Sequence, residues 1–180
     1  MRAFLAIPIP FLERSVLETQ IRALADSAPD LSWVRPEGLH ITLLFFGDIS
    51  LEHLSEMGNR FSGFSFPAFR VRYEGIGQFP HRGRPRVLYA PIREGEKECE
   101  ELYTKVCSVL SGLFVPESRP FTAHITLARV KEWQNAEFDR TIPISGEFPV
   151  DRMVFFESIL HSRAPEYREI ISVPFYSGAL

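Results

Sequence analysis

The tetrapeptide HITL occurs twice in this chain, at residues 40–43 within EGLHITLLFFGD and at residues 124–127 within PFTAHITLARVK. Successive side chains of a β-strand point to opposite faces of the sheet. In a strand, each copy therefore presents Ile and Leu on one face and His and Thr on the other. Each copy predicts a strand with an apolar face for a core and a polar face for another purpose.

The elements around the two copies follow the same order. Apolar periodicity predicts a strand, a helix, a loop and an HITL strand in each half of the chain, which indicates a weak internal duplication. No low-complexity segment or linker separates the halves. The sequence thus predicts one domain over residues 1–180, with two pseudo-equivalent lobes. The predicted elements are a strand at 2–8, a helix at 11–25, a strand–turn–strand unit at 31–46, a helix at 50–61 and a strand at 64–76, then a strand at 86–92, a helix at 94–113, the second HITL strand at 121–129 and strands at 141–148, 152–161 and 167–175.

Two lobes related by a pseudo-twofold axis would bring the two His/Thr faces together across one cleft. Two histidines facing one substrate suit a reaction that needs a general acid and a general base, because imidazole has an unperturbed pKa of about 6.5. Threonine hydroxyls are short hydrogen-bond donors for phosphate oxygens. The pair of motifs favours phosphoester hydrolysis at His40, His124, Thr42 and Thr126, whereas either motif alone is equally compatible with a packed strand histidine.

The composition limits the classes of partner. Lys and Arg number 20 and Asp and Glu 23, so the net charge is −3, whereas proteins that coat long duplex nucleic acid usually carry a basic excess. The N-terminal apolar run is short and is interrupted by Pro8 and Pro10, which predicts a first strand rather than a signal peptide or a membrane span. No Cys, His or Asp spacing beyond the two motifs matches a zinc site. We expect a cytoplasmic monomer that uses no metal and no cofactor.

With these motifs and their flanks, the sequence resembles the 2H phosphoesterase superfamily, which is named for two His-x-Thr/Ser motifs. Within it, the chain is most similar to the RNA 2′,3′-cyclic phosphodiesterases, older members of which were described as 2′-5′ RNA ligases. The similarity covers nearly the whole chain, from MRAFLAIPIP through WVRPEGLHITLLFFGDI, FPHRGRPRVLYA and RPFTAHITLARV to YREIISVPF. The resemblance implies an α+β fold: a bilobal single domain with two antiparallel β-sheets around a central cleft, helices on the outside and a pseudo-twofold duplication.

The resemblance also implies a reaction, the hydrolysis of an RNA 2′,3′-cyclic phosphate terminus to a 2′-phosphomonoester. Residue by residue, it makes His40 the proton donor to the leaving O3′ and His124 the proton acceptor that activates water. It makes Thr42 and Thr126 phosphate-binding residues and favours a substrate-binding role for Arg129. The near symmetry of the two motifs leaves open which histidine is the acid and which is the base.

Several alternatives stay open. Strict alternation puts Arg129 on the face opposite His124, so a substrate contact requires a bulge or the end of the strand, and a surface or ion-paired arginine is equally compatible. The basic stretch at 81–86 fits either a contact with RNA phosphates or a solvated hairpin loop. For the function, the alternatives are 2′-5′ RNA joining, hydrolysis of a smaller cyclic phosphodiester, and a non-catalytic RNA- or nucleotide-binding module.

Overall fold

The computed structural model describes residues 1–131, 137–161 and 165–177. Over these residues the chain forms ten strands, three α-helices and one short 3-10 helix. In chain order they are β1 (Arg2–Pro8), α1 (Phe11–Ser27), β2 (Ser32–Trp33), the 3-10 helix (Pro36–Gly38), β3 (His40–Asp48), α2 (Leu51–Arg60), β4 (Phe69–Glu74), β5 (Gly77–Phe79), β6 (Val87–Glu94), α3 (Glu96–Val109), β7 (His124–Arg129), β8 (Ser145–Val150), β9 (Arg152–Ile159) and β10 (Glu166–Pro174). No helix in these ranges is long and apolar enough to cross a membrane.

The main strands follow one path, in the order β10-β9-β1-β3-β7-β6-β4-β8, and the named strands pair in antiparallel orientation. The path divides at its centre into two four-stranded halves. Across the described chain these halves pair through a single register position, Ile41 with Ile125. Because these are the second residues of the two HITL motifs, the pseudo-twofold axis passes between them. The predicted α+β fold with its duplication is confirmed, and its two half-sheets are continuous through this pair.

The short strand β2 limits the contact between the two halves. Ser32 pairs with Arg129 and Trp33 with Ala128, so β2 occupies the edge of β7 beyond the central pair. The indole N–H of Trp33 donates to the carbonyl of Ala28 at 2.9 Å, which ties β2 to the end of α1. In the antiparallel register this part of β7 lies opposite the residues that precede His40, so β2 stops the pairing of the two halves from extending in that direction.

Helix α1 follows β1 in the first half but packs on the second. The side-chain amide of Gln20 donates to the carbonyl of Ser145 at 2.8 Å and accepts from its N–H at 3.1 Å. The hydroxyl of the buried Tyr73 donates to the Glu13 carboxylate at 2.6 Å. Gly146 permits this approach, because a Cβ there would lie only 2.4 Å from the Tyr73 hydroxyl. The two halves consequently share one hydrophobic core, to which both contribute.

The predicted elements are confirmed with shifted ends and two exceptions. The strand predicted over 64–76 forms only at Phe69–Glu74, because Pro67 precedes it and lacks the N–H that a ladder needs. Pro67 forms an isolated bridge with Tyr176 instead. Strand β5 is not predicted from the sequence, since three residues are too few to show an alternating pattern.

Candidate active site

The central pair places the two motifs side by side. With the two isoleucines opposite each other in an antiparallel pair, His40 comes across from Thr126 and Thr42 comes across from His124. The four polar side chains are part-exposed, whereas the Ile and Leu residues between them are buried. We call the sheet face that carries His40, Thr42, His124 and Thr126 the motif face. The structure therefore brings these four predicted site residues together on one surface.

A β-bulge follows the threonine of each motif. In the first half, Thr42 pairs with Ala6 and Leu44 with Leu5, so that Leu43 is the extra residue. The same shift in the second half makes Leu127 the extra residue. Both strands accordingly show two consecutive buried residues after the threonine. An extra residue inverts the alternation of the side chains beyond it, which turns the second residue after each bulge toward the motif face.

The two residues that the bulges redirect are Phe45 in β3 and Arg129 in β7. Both are exposed. Burial has the largest effect on the pKa of His40 and of Tyr167, and the positive charge of Arg129 acts to lower both values, in agreement with a side chain on the motif face. The bulge that a substrate contact by Arg129 requires is therefore present. Strict alternation places this side chain on the wrong face because the sequence does not mark the bulge.

The imidazole of His124 has a defined tautomer. Its Nδ1 lies 2.7 Å from the carbonyl oxygen of Thr122, and a carbonyl only accepts hydrogen bonds. Nδ1 therefore carries the hydrogen, and Nε2 of the neutral ring carries the lone pair. Burial lowers the pKa of His124, and the hydrogen bond with the Thr122 backbone offsets this in part. Near neutral pH, His124 is thus a neutral imidazole with Nε2 available as a base.

His40 occupies the equivalent place in the first half and has a more strongly positive neighbourhood. Burial lowers its pKa to about 4; a hydrogen bond with the Gly38 backbone opposes this shift, and the charges of His124 and Arg129 add to it. The backbone partner lies two residues before the histidine in both halves, so the duplication extends to the support of each ring. Without a bound anion, His40 is also neutral near pH 7.

Aromatic rings line both imidazoles. The ring of His40 lies 4.8 Å from that of Phe4 and 5.4 Å from that of Tyr167, between centroids. The ring of His124 lies 5.1 Å from Phe79 and 5.3 Å from Tyr89. These four residues are not predicted from the sequence, because they come from other strands and carry no motif of their own. They supply the partial burial that lowers both histidine pKa values.

The basic stretch predicted to contact either RNA or solvent lies outside the motif face. The basic stretch at 81–86 forms the exposed connection between β5 and β6. It begins beside the site, because the His81 ring lies 5.2 Å from Phe79, which in turn contacts His124. Within residues 1–131, 137–161 and 165–177, no group of three or more His, Cys, Asp or Glu side chains is arranged to hold a metal ion.

Fold and motifs together define a phosphoesterase of the two-histidine (2H) class. The family described as LigT-like phosphoesterase matches the chain twice in succession, over residues 14–89 and over residues 91–167. The chain belongs to this family. Each match contains one HITL motif, in agreement with the internal duplication.

Individual relatives resemble the chain over most of its length. The RNA 2′,3′-cyclic phosphodiesterase of Archaeoglobus fulgidus is 32% identical over 174 residues, which cover 94% of this chain and 98% of the relative. The protein of the same name from Thermus thermophilus is 33% identical over 183 residues, covering 93% and 86%. Among solved structures, TT0787 of Thermus thermophilus has a TM-score of 0.80 at 27% identity, with 97% of each chain covered. E. coli LigT complexed with 3′-AMP has a TM-score of 0.79 at 21% identity, again over 97% of each chain, and supports the fold.

Proposed function

We propose that this chain hydrolyses the 2′,3′-cyclic phosphate terminus of RNA to a 2′-phosphomonoester, with His40 and His124 as acid and base. The observation that carries the proposal is the register of β3 against β7, which sets the two His-x-Thr pairs across from each other on the motif face. The relatives named RNA 2′,3′-cyclic phosphodiesterase support the reaction and its substrate. Since the site needs a strand from each half, residues 1–180 act as one catalytic domain.

The base is His124. Its Nε2 takes a proton from a water molecule, and the water oxygen forms a bond to the phosphorus of the cyclic phosphate. The Nδ1–H bond to the Thr122 carbonyl keeps the ring in the tautomer that this step requires and stabilises the imidazolium that forms. The hydroxyls of Thr42 and Thr126 donate to the non-bridging phosphate oxygens, whose negative charge grows in the transition state.

The acid is His40, which donates a proton to O3′ as the bond between phosphorus and O3′ breaks. In the substrate-free protein this role is opposed by burial and by the charges of His124 and Arg129, which hold the pKa of His40 at about 4. A phosphate anion between these groups offsets the positive charges and raises the pKa of His40. The substrate thus creates the protonation state that its own cleavage needs, and Arg129 contributes by binding the same anion.

The proposed partner is an RNA or oligonucleotide that ends in a 2′,3′-cyclic phosphate. We expect the protein to act as a monomer in the cytoplasm, without a metal and without a cofactor. The basic stretch at 81–86 begins beside the site, through the contacts of His81 with Phe79 and of Phe79 with His124, so its arginines are candidates for binding RNA phosphates.

Product analysis tests the proposal. An oligonucleotide with a 2′,3′-cyclic phosphate end is incubated with the protein, with and without EDTA, and the position of the product phosphate is determined by 31P NMR. We expect a 2′-phosphate and an equal rate with chelator. A 3′-phosphate would contradict the assignment of O3′ as the leaving group. Joining of two RNA ends without hydrolysis, or binding without turnover, would favour a ligase or a binding module.

A further inference from the structure

Tyr167 lies on β10, three strands away from β3 in the sheet order, yet its ring contacts His40 directly. The two ring centroids are 5.4 Å apart and the planes meet at 83°. The same ring meets Phe4 edge-on at 4.9 Å, and its Cε2 lies 3.6 Å from where a Cβ on Gly38 would stand. Tyr167 therefore forms one wall around the His40 imidazole.

Burial and two arginine charges act on the phenol of Tyr167. Burial, which is the largest effect, raises the pKa of Tyr167, and the charges of Arg129 and Arg2 both act to lower it. The phenol is accordingly neutral near pH 7 and keeps its O–H for donation. Thr126 lies across from His40 in the central pair, and Arg129 follows it on the same face beyond the bulge, so the Arg129 side chain starts from the end of the motif face where Tyr167 contacts His40.

A neutral donor has a specific advantage at this position. An additional cation beside Arg129 would bind the phosphate anion but would also oppose the protonation of His40. A phenol hydroxyl adds a hydrogen bond to the anion without adding positive charge. The edge-on contact of the Tyr167 ring meanwhile restricts the imidazole to one orientation against Phe4.

We propose that Tyr167 is a further substrate-contacting residue, whose hydroxyl donates a hydrogen bond to the phosphate oxygen that Arg129 binds and whose ring positions His40. The proposal rests on the proposed function, because it adds a group to the same site. The contact places one non-bridging phosphate oxygen toward the end of the motif face that carries His40, Tyr167 and Arg129, while the phosphorus stays between the two histidines.

Two variants separate the hydroxyl from the ring, with a matched control elsewhere. Tyr167→Phe removes only the hydroxyl, and Tyr167→Leu removes the aromatic wall as well. Tyr176→Phe is the control, because Tyr176 is 53% exposed and pairs with Pro67 away from the motifs. On a cyclic-phosphate oligonucleotide we expect Tyr167→Phe to lower kcat/KM roughly ten- to hundredfold, the range for one hydrogen bond to a charged group. The control should keep wild-type kinetics.

The pH profile gives a readout that simple packing would not move. Tyr167→Leu should shift the acidic limb of the kcat/KM profile to higher pH, since water that enters beside His40 raises its pKa. Tyr167→Phe should leave that limb in place, because the ring still covers the imidazole. Wild-type kinetics in Tyr167→Phe would overturn the hydroxyl contact, and an unshifted limb in Tyr167→Leu would overturn the positioning role.

Binding of adenosine 2′-phosphate, measured by calorimetry, keeps this test separate from that of the reaction. We expect Tyr167→Phe to weaken the Kd of this nucleotide and Tyr176→Phe to leave it unchanged. If the wild type binds the nucleotide but turns over no cyclic phosphate, the proposed function fails while a weakened Kd in Tyr167→Phe still supports the contact. Equal affinities of the wild type and Tyr167→Phe would overturn the contact whatever the turnover.

Discussion

Replacement of Arg129 by Gln should change the pH dependence of turnover in a defined direction. In the substrate-free protein the pKa of His40 is lowered to about 4, so that roughly one molecule in a thousand carries a protonated His40 at pH 7. Burial also lowers the pKa of His124. Because kcat/KM reports the groups of the free enzyme, both limbs of its pH profile should lie below pH 6.5 in the wild type.

The sign of the shift follows from the charges. The active form holds one proton on the histidine pair, and activity falls on the acidic side when the pair binds a second proton, which His40 takes up at about pH 4. The Arg129 charge opposes that proton, so Arg129→Gln raises the pKa of His40 and moves the acidic limb to higher pH. The variant also loses a charge-assisted contact of about 1.5–3 kcal/mol, which corresponds to roughly a 10- to 150-fold loss in kcat/KM.

The assay is the hydrolysis of a nucleoside 2′,3′-cyclic monophosphate, measured by initial rates across both limbs at constant ionic strength, because salt screens exposed charges. Arg119→Gln is the matched control, since Arg119 is exposed and paired with Glu117. Both limbs of the kcat profile should lie at higher pH than those of kcat/KM, because the bound phosphate raises the pKa of both histidines. A wild-type kcat/KM profile with a limb above pH 6.5, or an acidic limb that stays or moves lower in Arg129→Gln, would refute this reasoning.

Five further substitutions test the site and the core. Alanine in place of either motif histidine should lower kcat about 10²- to 10⁴-fold, the range for a general acid or base, and initial rates within tenfold of the wild type would contradict its role. Thr42→Val and Thr126→Val each remove one hydroxyl at nearly constant volume. We expect kcat/KM to fall roughly tenfold or more, while the melting temperature stays unchanged. Unchanged kinetics would exclude a contact between that hydroxyl and the phosphate. Tyr73→Phe leaves the Glu13 carboxylate without its hydrogen-bond donor. The free energy of unfolding, measured in urea, should fall by about 1–3 kcal/mol, and kcat should not change. Equal stability would show that the hydrogen bond between α1 and β4 does not stabilise the fold.

The two halves of the site have the same residues within the motifs and different residues beyond them. Each half supplies a histidine, a threonine and a bulge, but the redirected residue is Phe45 in one half and Arg129 in the other. Arg129 acts on the pKa of His40, and no arginine stands in the corresponding position of the first half. The two chemically identical imidazoles therefore lie in different electrostatic environments. Such a difference is the condition under which one histidine serves as acid and the other as base.

The convergence of the two motifs can be predicted from the sequence, because it depends on local patterns that are repeated in each half of the chain. Two-residue alternation places His and Thr on one face, and a repeated order of elements brings the two faces together. The bulges at Leu43 and Leu127 are not predictable in the same way, because LL and LA after a threonine fit a regular strand equally well. For the same reason alternation alone puts Arg129 on the wrong face.

Long-range contacts mark the other limit of prediction from the sequence. Tyr167 and Tyr89 reach the two imidazoles from strands whose order in the sheet is set by the packing of the whole domain. Nothing in their flanking sequence distinguishes them from other tyrosines on strands. The crossing of α1 onto the second half also depends on tertiary packing, since Gly146 and Gln20 lie far apart in the chain.

The division of labour between the two imidazoles is tested most directly with a 2′,3′-cyclic phosphorothiolate, in which sulfur replaces O3′. A thiolate leaves without a proton, so this substrate needs a base but no acid. We predict that His40→Ala regains a rate close to that of the wild type on the sulfur substrate, while His124→Ala stays inactive on both substrates. Failure of the sulfur substrate to restore His40→Ala, or its restoration of His124→Ala instead, would contradict the assignment of acid and base.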